Sequence, residues 1–156
     1  MRSLATCTSL LIALTLSVAS LAGAADRGTE AEAKSMLDKA AEHFKAVGRE
    51  RALADFTAGK APFRDRDLYV LCVDSKHVIV ANGGYATFVG SSADAFLDAN
   101  GAPVGQALWN AAGTRPSGSV PYPLFNPVTK KPENKTTFYR KLADDLLCGV
   151  GVYSAR

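Results

Sequence analysis

The chain has 156 residues, 47% of them hydrophobic and 21% charged, and a formal charge of +3. That length suits one domain with a single proper core. So mild a charge excludes the electrostatic footprint of a nucleic-acid or anionic-membrane partner.

The first 24 residues read as an export signal. Arg2 supplies a short positive start, and Leu10 to Val18 is an apolar run interrupted by Thr15 and Ser17 alone. Ala22-Gly23-Ala24 then fits the small-x-small rule for cleavage. A retained membrane anchor is the competing reading, since no charge falls between Ser3 and Ala25. Cys7 precedes the apolar run, which argues against a lipoprotein. The expectation is a signal at 1–24 and one exported domain at 25–156, periplasmic or secreted. No segment after the signal is apolar enough to span a membrane.

Thr29-Glu30-Ala31-Glu32 matches a capping box. Ala33, Met36, Leu37, Ala40, Ala41, Phe44 and Val47 then recur at helical spacing, and Gly48 ends the helix. A shorter amphipathic piece runs from Arg49 to Phe56. Arg66 to Asp74 is a nearly continuous apolar run, the pattern of a strand buried on both faces. Asp74-Ser75-Lys76 turns it into His77 to Gly84, so this stretch reads as a hairpin.

Ser91-Ser92-Ala93-Asp94 resembles a helix cap, and Val104 to Ala111 reads as a further helix carrying Trp109. Asp98-Ala99-Asn100-Gly101 is a turn; Phe96 stands where a calcium loop needs its first acidic ligand. Val120 to Phe125 alternates like a strand, but Pro121 and Pro123 confine it to a sheet edge. Asn126 to Asn134 reads as a long polar loop, Thr136 to Tyr139 as the next strand, and Leu146 to Tyr153 as the last.

In that order, the sequence resembles the single Cache domains of the second type, extracytoplasmic ligand-sensing modules with a PAS-like fold. The resemblance runs from about Ala33 to Tyr153. It rests on Val47-Gly48-Arg49-Glu50-Arg51, Arg66-Asp67-Leu68-Tyr69-Val70, Asp98-Ala99-Asn100-Gly101, Val120-Pro121-Tyr122, Asn126-Pro127-Val128-Thr129, Lys135 and Gly149-Val150-Gly151-Val152-Tyr153. It implies an α+β fold: a five-stranded antiparallel sheet, a long N-terminal helix and short connecting helices. The first strand would lie beside the last at the sheet's centre.

The resemblance also implies a ligand pocket between the sheet and the segment joining the second and third strands. The matching positions are Trp109, Tyr122 and Lys135. Lysine suits a carboxylate as a point charge, and the aromatics offer flat walls with a polar edge. Tyr69 joins them as a candidate, although a place in the core accounts for it as well. Trp109 as core, Tyr122 as edge cover and Lys135 as a solvated flank are the plain alternatives. Cys72 and Cys148 survive signal removal; if the first and last strands are neighbours, the two would either form a disulfide or remain buried thiols, as geometry decides.

Catalysis finds no footing in the sequence. There are two histidines, no zinc-type Cys/His spacing, no Gly-x-Ser-x-Gly elbow and no phosphate loop. No catalytic residue, metal or cofactor is expected. The expected function is to hold a small polar metabolite, such as a carboxylate, and to signal through a membrane sensor or other envelope partner. A ligand-free structural or assembly factor of the cell envelope is the alternative.

Overall fold

The computed structural model describes residues 27–126 and 129–154; the expected signal at 1–24 lies outside them. Helix α1 (Glu30–Val47) opens on the capping box, in which the Glu32 amide donates to the Thr29 hydroxyl and the Thr29 amide to the Glu32 carboxylate. Those two bonds satisfy donors that a helix start leaves orphaned. Ala33, Met36, Leu37, Ala40 and Ala41 form its buried stripe. Gly48 has φ 80° and ψ 169°, a backbone region open in practice to glycine alone, and there the chain turns straight into α2 (Arg49–Thr57).

The sheet has six strands: β1 (Arg64–Asp65), β2 (Leu68–Asp74), β3 (Ile79–Asn82), β4 (Ser117–Asn126), β5 (Lys131–Ala143) and β6 (Leu146–Tyr153). The order is β1-β2-β6-β5-β4, and β3 pairs with β2. Five of these are the expected PAS-like strands, and the two-residue β1 adds to them. The proline-bearing β4 lies at the edge and β2 beside β6, as the sequence implied. The β2–β3 turn is held by Asp74, whose carboxylate accepts from the amides of Lys76 and Val78.

Two sequence expectations need correction. The polar stretch from Asn126 to Asn134 is shorter as a loop: β5 begins at Lys131 and pairs with β4 through Asn126↔Lys131. Residue polarity there reflects an exposed hairpin end, not an absence of ladder bonds. The helix expected after Ser92 is only a 3₁₀ turn, Ala93–Ala95, capped by the Ser92 hydroxyl. Helix α3 (Val104–Thr114) follows it.

Side-chain alternation divides the molecule into two cores. On one face, α1 and α2 pack on Val70, Cys72, Phe138, Cys148 and Val150. On the other, Val104, Leu108 and Ala112 of α3 pack on Tyr139 and Leu147. His43 bridges α1 and α2: its Nε2 lies 2.9 Å from Asp55, and its ring packs 4.8 Å from Phe63.

Cys72 and Cys148 are register partners on β2 and β6 and are joined by a disulfide, both fully buried. The bond ties positions 76 residues apart, so it removes a long loop's freedom from the unfolded chain. Replacing both cysteines by alanine is expected to lower unfolding free energy by about 2–4 kcal/mol in urea denaturation. An unchanged midpoint would show that the cross-link carries no stability.

Candidate ligand-binding site

On the α3 face the sheet presents Tyr122, Lys135 and Tyr153 in register across β4, β5 and β6. Residues two apart on a strand share a face, so Thr137 stands next to Lys135, and Gly149 and Gly151 lie on the same face of β6. Gly151 matters because of what it lacks. A Cβ there would fall 2.3 Å from Lys135 Cε, so only glycine lets the lysine stem lie flat on β6. Above this bare floor is a cavity of about 50 Å³. Its walls include Tyr69, Tyr122, Lys135 and Thr137 from the sheet, Leu108 from α3, and Phe96 from the connecting segment.

Backbone bonds tie the connecting segment to the β2–β3 turn, to β4 and to the start of α3. Ala93 N–H donates to His77 O at 2.7 Å, Ala99 N–H to Pro123 O at 2.7 Å, and Val104 N–H to Phe96 O at 2.9 Å. Asn82, itself buried, starts the segment by accepting from the amides of Gly84 and Tyr85. An aromatic row then runs outward, Tyr69 to Tyr85 at 5.9 Å, Tyr85 to Phe88 at 5.8 Å and Phe88 to Phe96 at 5.5 Å.

Lys135 is only 5% exposed and is the one charged residue among the buried set of the described residues. Its ammonium has no hydrogen bond or ion pair with any described residue. It lies over two π faces instead, 4.7 Å from the Tyr153 ring centroid and 5.2 Å from that of Tyr69. Such contacts help a cation but do not replace its lost hydration. Burial accordingly lowers the Lys135 pKa, opposed by the fields of Tyr122, Asp67 and Tyr85, of which the Asp67 carboxylate is the one ionised at neutral pH. Burial also raises the Tyr122 phenol and pushes the Tyr69 phenol up to about 12. These phenols therefore stay neutral near pH 7 and serve as hydrogen-bonding groups. Tyr122 Oη and Thr137 Oγ1 lie 2.6 Å apart; one proton fills that bond, leaving the pair one further O–H to donate.

Of the residues singled out in the sequence, Tyr69, Tyr122 and Lys135 meet at this cavity. Trp109 does not line it. Its ring stacks on His77 at 6.1 Å, with the Lys141 ammonium 5.6 Å over it, and its Nε1 is buried without a partner among the described residues. His77 in turn bonds Asp94 at 2.7 Å, so Trp109 braces the hairpin turn against the connecting segment. Thr137, Gly149 and Gly151 went unnoticed as site residues. The signal was available: Thr137 is two positions after Lys135, and Gly-x-Gly in an apolar strand strips one face of side chains.

A larger groove of about 740 Å³ runs between α1 and β4, past Lys34, Asp38, Arg115 and Arg140. It is open to water, and Arg140 is already paired with Asp38 at 2.7 Å. Exposed charges of this kind are screened and bind weakly. The enclosed cavity is the better site.

A helix-flanked antiparallel sheet with a small, mostly apolar cavity under its connecting segment is a PAS-like fold. The sequence matches the family model of the single Cache domain 2 over residues 20–155, and the chain belongs to that family. Cache sensor domains bind small ligands outside the cytoplasm and are a ligand-sensing, non-catalytic kind. Among solved structures, a methyl-accepting chemotaxis protein from Vibrio parahaemolyticus RIMD 2210633 has TM-score 0.63 and 18% identity, covering 80% of this chain and 87% of that one. The periplasmic sensor domain of a chemotaxis protein has TM-score 0.57 and 19% identity, over 81% and 90%. A Cache chemosensory domain described for its carboxylic acid recognition has TM-score 0.59 and 17% identity, over 78% and 86%. No curated protein sequence matches the chain. No helix among the described residues is long and apolar enough to cross a membrane.

The lysine should weaken the empty fold. With its pKa lower folded than unfolded, the folded state holds fewer protons between the two values, so stability from this group rises with pH through that window. Lys135→Met is expected to raise unfolding free energy at pH 7 by about 1 kcal/mol or more. The gain should shrink as pH climbs and the native lysine becomes neutral. Urea titrations of both proteins at several pH values check this; a destabilised variant at neutral pH would contradict it.

Proposed function

We propose that the protein is an exported sensor domain that holds a short-chain carboxylate against Lys135 and passes its bound state to an envelope partner. The observation that carries this reading is the buried ammonium of Lys135, which forms no ion pair among the described residues and feels the Asp67 carboxylate only through its field. A ligand carboxylate at the cavity would supply the missing counter-charge as a charge-assisted hydrogen bond, the strong kind. The leftover O–H of the Tyr122–Thr137 pair supplies a second donor. Leu108 and Phe96 offer apolar walls to a short alkyl tail.

Volume limits the tail. A water-sized atom occupies roughly 10–15 Å³ by this measure, so a cavity of about 50 Å³ takes a ligand of acetate or propionate size. The family places such domains outside the cytoplasm, in keeping with cleavage after Ala24 and with the buried disulfide, which is at home in an oxidising compartment. The receiving partner is then a membrane sensor or another envelope protein that reads the domain's surface. Binding and relay need no chemical turnover.

Thermal unfolding in millimolar acetate, propionate, valerate and the corresponding amides tests the ligand class. Acetate and propionate should raise the midpoint, because a ligand stabilises in proportion to the logarithm of its excess over Kd. Valerate should be too long and the amides uncharged. Lys135→Ala should abolish the shift. Equal shifts with amides, or an undiminished shift in Lys135→Ala, would remove the lysine from the site.

A further inference from the structure

We propose that Lys135 also captures a small carbonyl compound covalently, as a reversible imine, and that short 2-oxo acids are the class it fits. This rests on the cavity above being the ligand site. It goes further by assigning the lysine a bond-forming role.

Three features of the cavity converge on that chemistry. First, the amine is shielded and makes no hydrogen bond or ion pair among the described residues: Lys135 is 5% exposed, lines the cavity, and lies over the rings of Tyr69 and Tyr153. An amine desolvated among apolar groups loses its proton more readily than one in water, and a neutral amine is the nucleophile. Second, a proton donor faces the same cavity. Lys135 Nζ and Thr137 Oγ1 both lie close to the bare face of Gly151, 3.2 Å and 3.0 Å from where a Cβ would sit. Thr137 is bonded to Tyr122 with one O–H left to give. Third, the enclosure is small and mostly apolar-walled, which limits the water available to hydrolyse an imine once formed.

The step balances without an oxidant or reductant. The nitrogen lone pair forms a C–N bond to the carbonyl carbon while the carbonyl π pair moves to oxygen. One proton passes from nitrogen to that oxygen, giving a carbinolamine. The hydroxyl pair protonates the oxygen again, the C–O bond breaks, and water leaves as the C=N bond forms. Nitrogen's remaining proton returns to the hydroxyl pair. Amine plus carbonyl compound becomes imine plus water, and hydration reverses it. A bound 2-oxo acid is first paired with the ammonium, which releases one proton to water before its lone pair can attack. The reacting carbon is one bond from the carboxylate, so the pairing brings the carbonyl to the nitrogen, and the imine regains that proton against the same carboxylate.

Reductive trapping tests this. The whole protein is incubated with glyoxylate, the smallest such acid, and sodium cyanoborohydride, and each lysine's modification rate is followed by peptide mass. Lys135 is expected to be modified at least tenfold faster than the exposed Lys34 and Lys76, and excess acetate should slow Lys135 alone. Modification of Lys135 no faster than of those two lysines overturns the proposal. Thermal shift with acetate, run in parallel, separates the two ideas: a retained shift with no preferential trapping leaves a simple carboxylate site, while no shift removes the site itself.

Discussion

A single charge, buried without an ion pair among the described residues, organises the cavity half of this domain. Placing a lysine ammonium where it is 5% exposed costs free energy that a domain of this size can ill spare. Several features serve to hold it there. Gly151 clears a track for the stem, the tyrosines at 69 and 153 present ring faces to the head, and Tyr122 with Thr137 closes the adjacent row. The connecting segment, pinned at Ala93, Ala99 and Val104, keeps water off the group. An interior that only needed packing would place an apolar side chain here.

The opposite face of the sheet provides the rigidity this requires. Val70, Cys72, Cys148 and Val150 are fully buried under α1 and α2, and the disulfide fixes β2 to β6 at their centre. Alternation then does the rest. Every residue of β6 that packs under the helices leaves its neighbour facing the cavity, so Cys148, Val150 and Val152 alternate with Gly149, Gly151 and Tyr153. Core packing and cavity lining are thus written on alternate positions of the same strand. The N-terminal approach is tied to the same region: Arg27 pairs with Glu133 at 2.9 Å, and the Gly28 amide donates to Asp67 at 2.6 Å.

Much of this was legible in the sequence because it depends on local chemistry. The capping box at Thr29, the stop at Gly48 and the edge position forced by Pro121 and Pro123 follow from backbone donors and dihedrals. The doubly apolar Leu68–Asp74 announced a central strand. Resemblance to the family supplied the neighbour relation that put Cys72 opposite Cys148. What failed to show was depth. A lysine after a polar hairpin looks solvated, and only the sheet's register reveals that Lys135 opposes Tyr153 across β5 and β6. Trp109, an obvious pocket aromatic by composition, turns toward His77 because α3 rotates that face to the β2–β3 turn. Such rotations are set by tertiary packing and leave no mark in residue spacing.

The central claim is that Lys135 waits inside the fold for a negative charge. Its side-chain nitrogen can be observed directly by NMR of protein carrying ¹⁵N-lysine, titrated with and without saturating acetate. The account predicts a pKa below that of ordinary lysines in the free protein, restored upward when the carboxylate binds, with proton uptake at neutral to alkaline pH. An identical Lys135 titration with and without acetate, despite saturation, would contradict it.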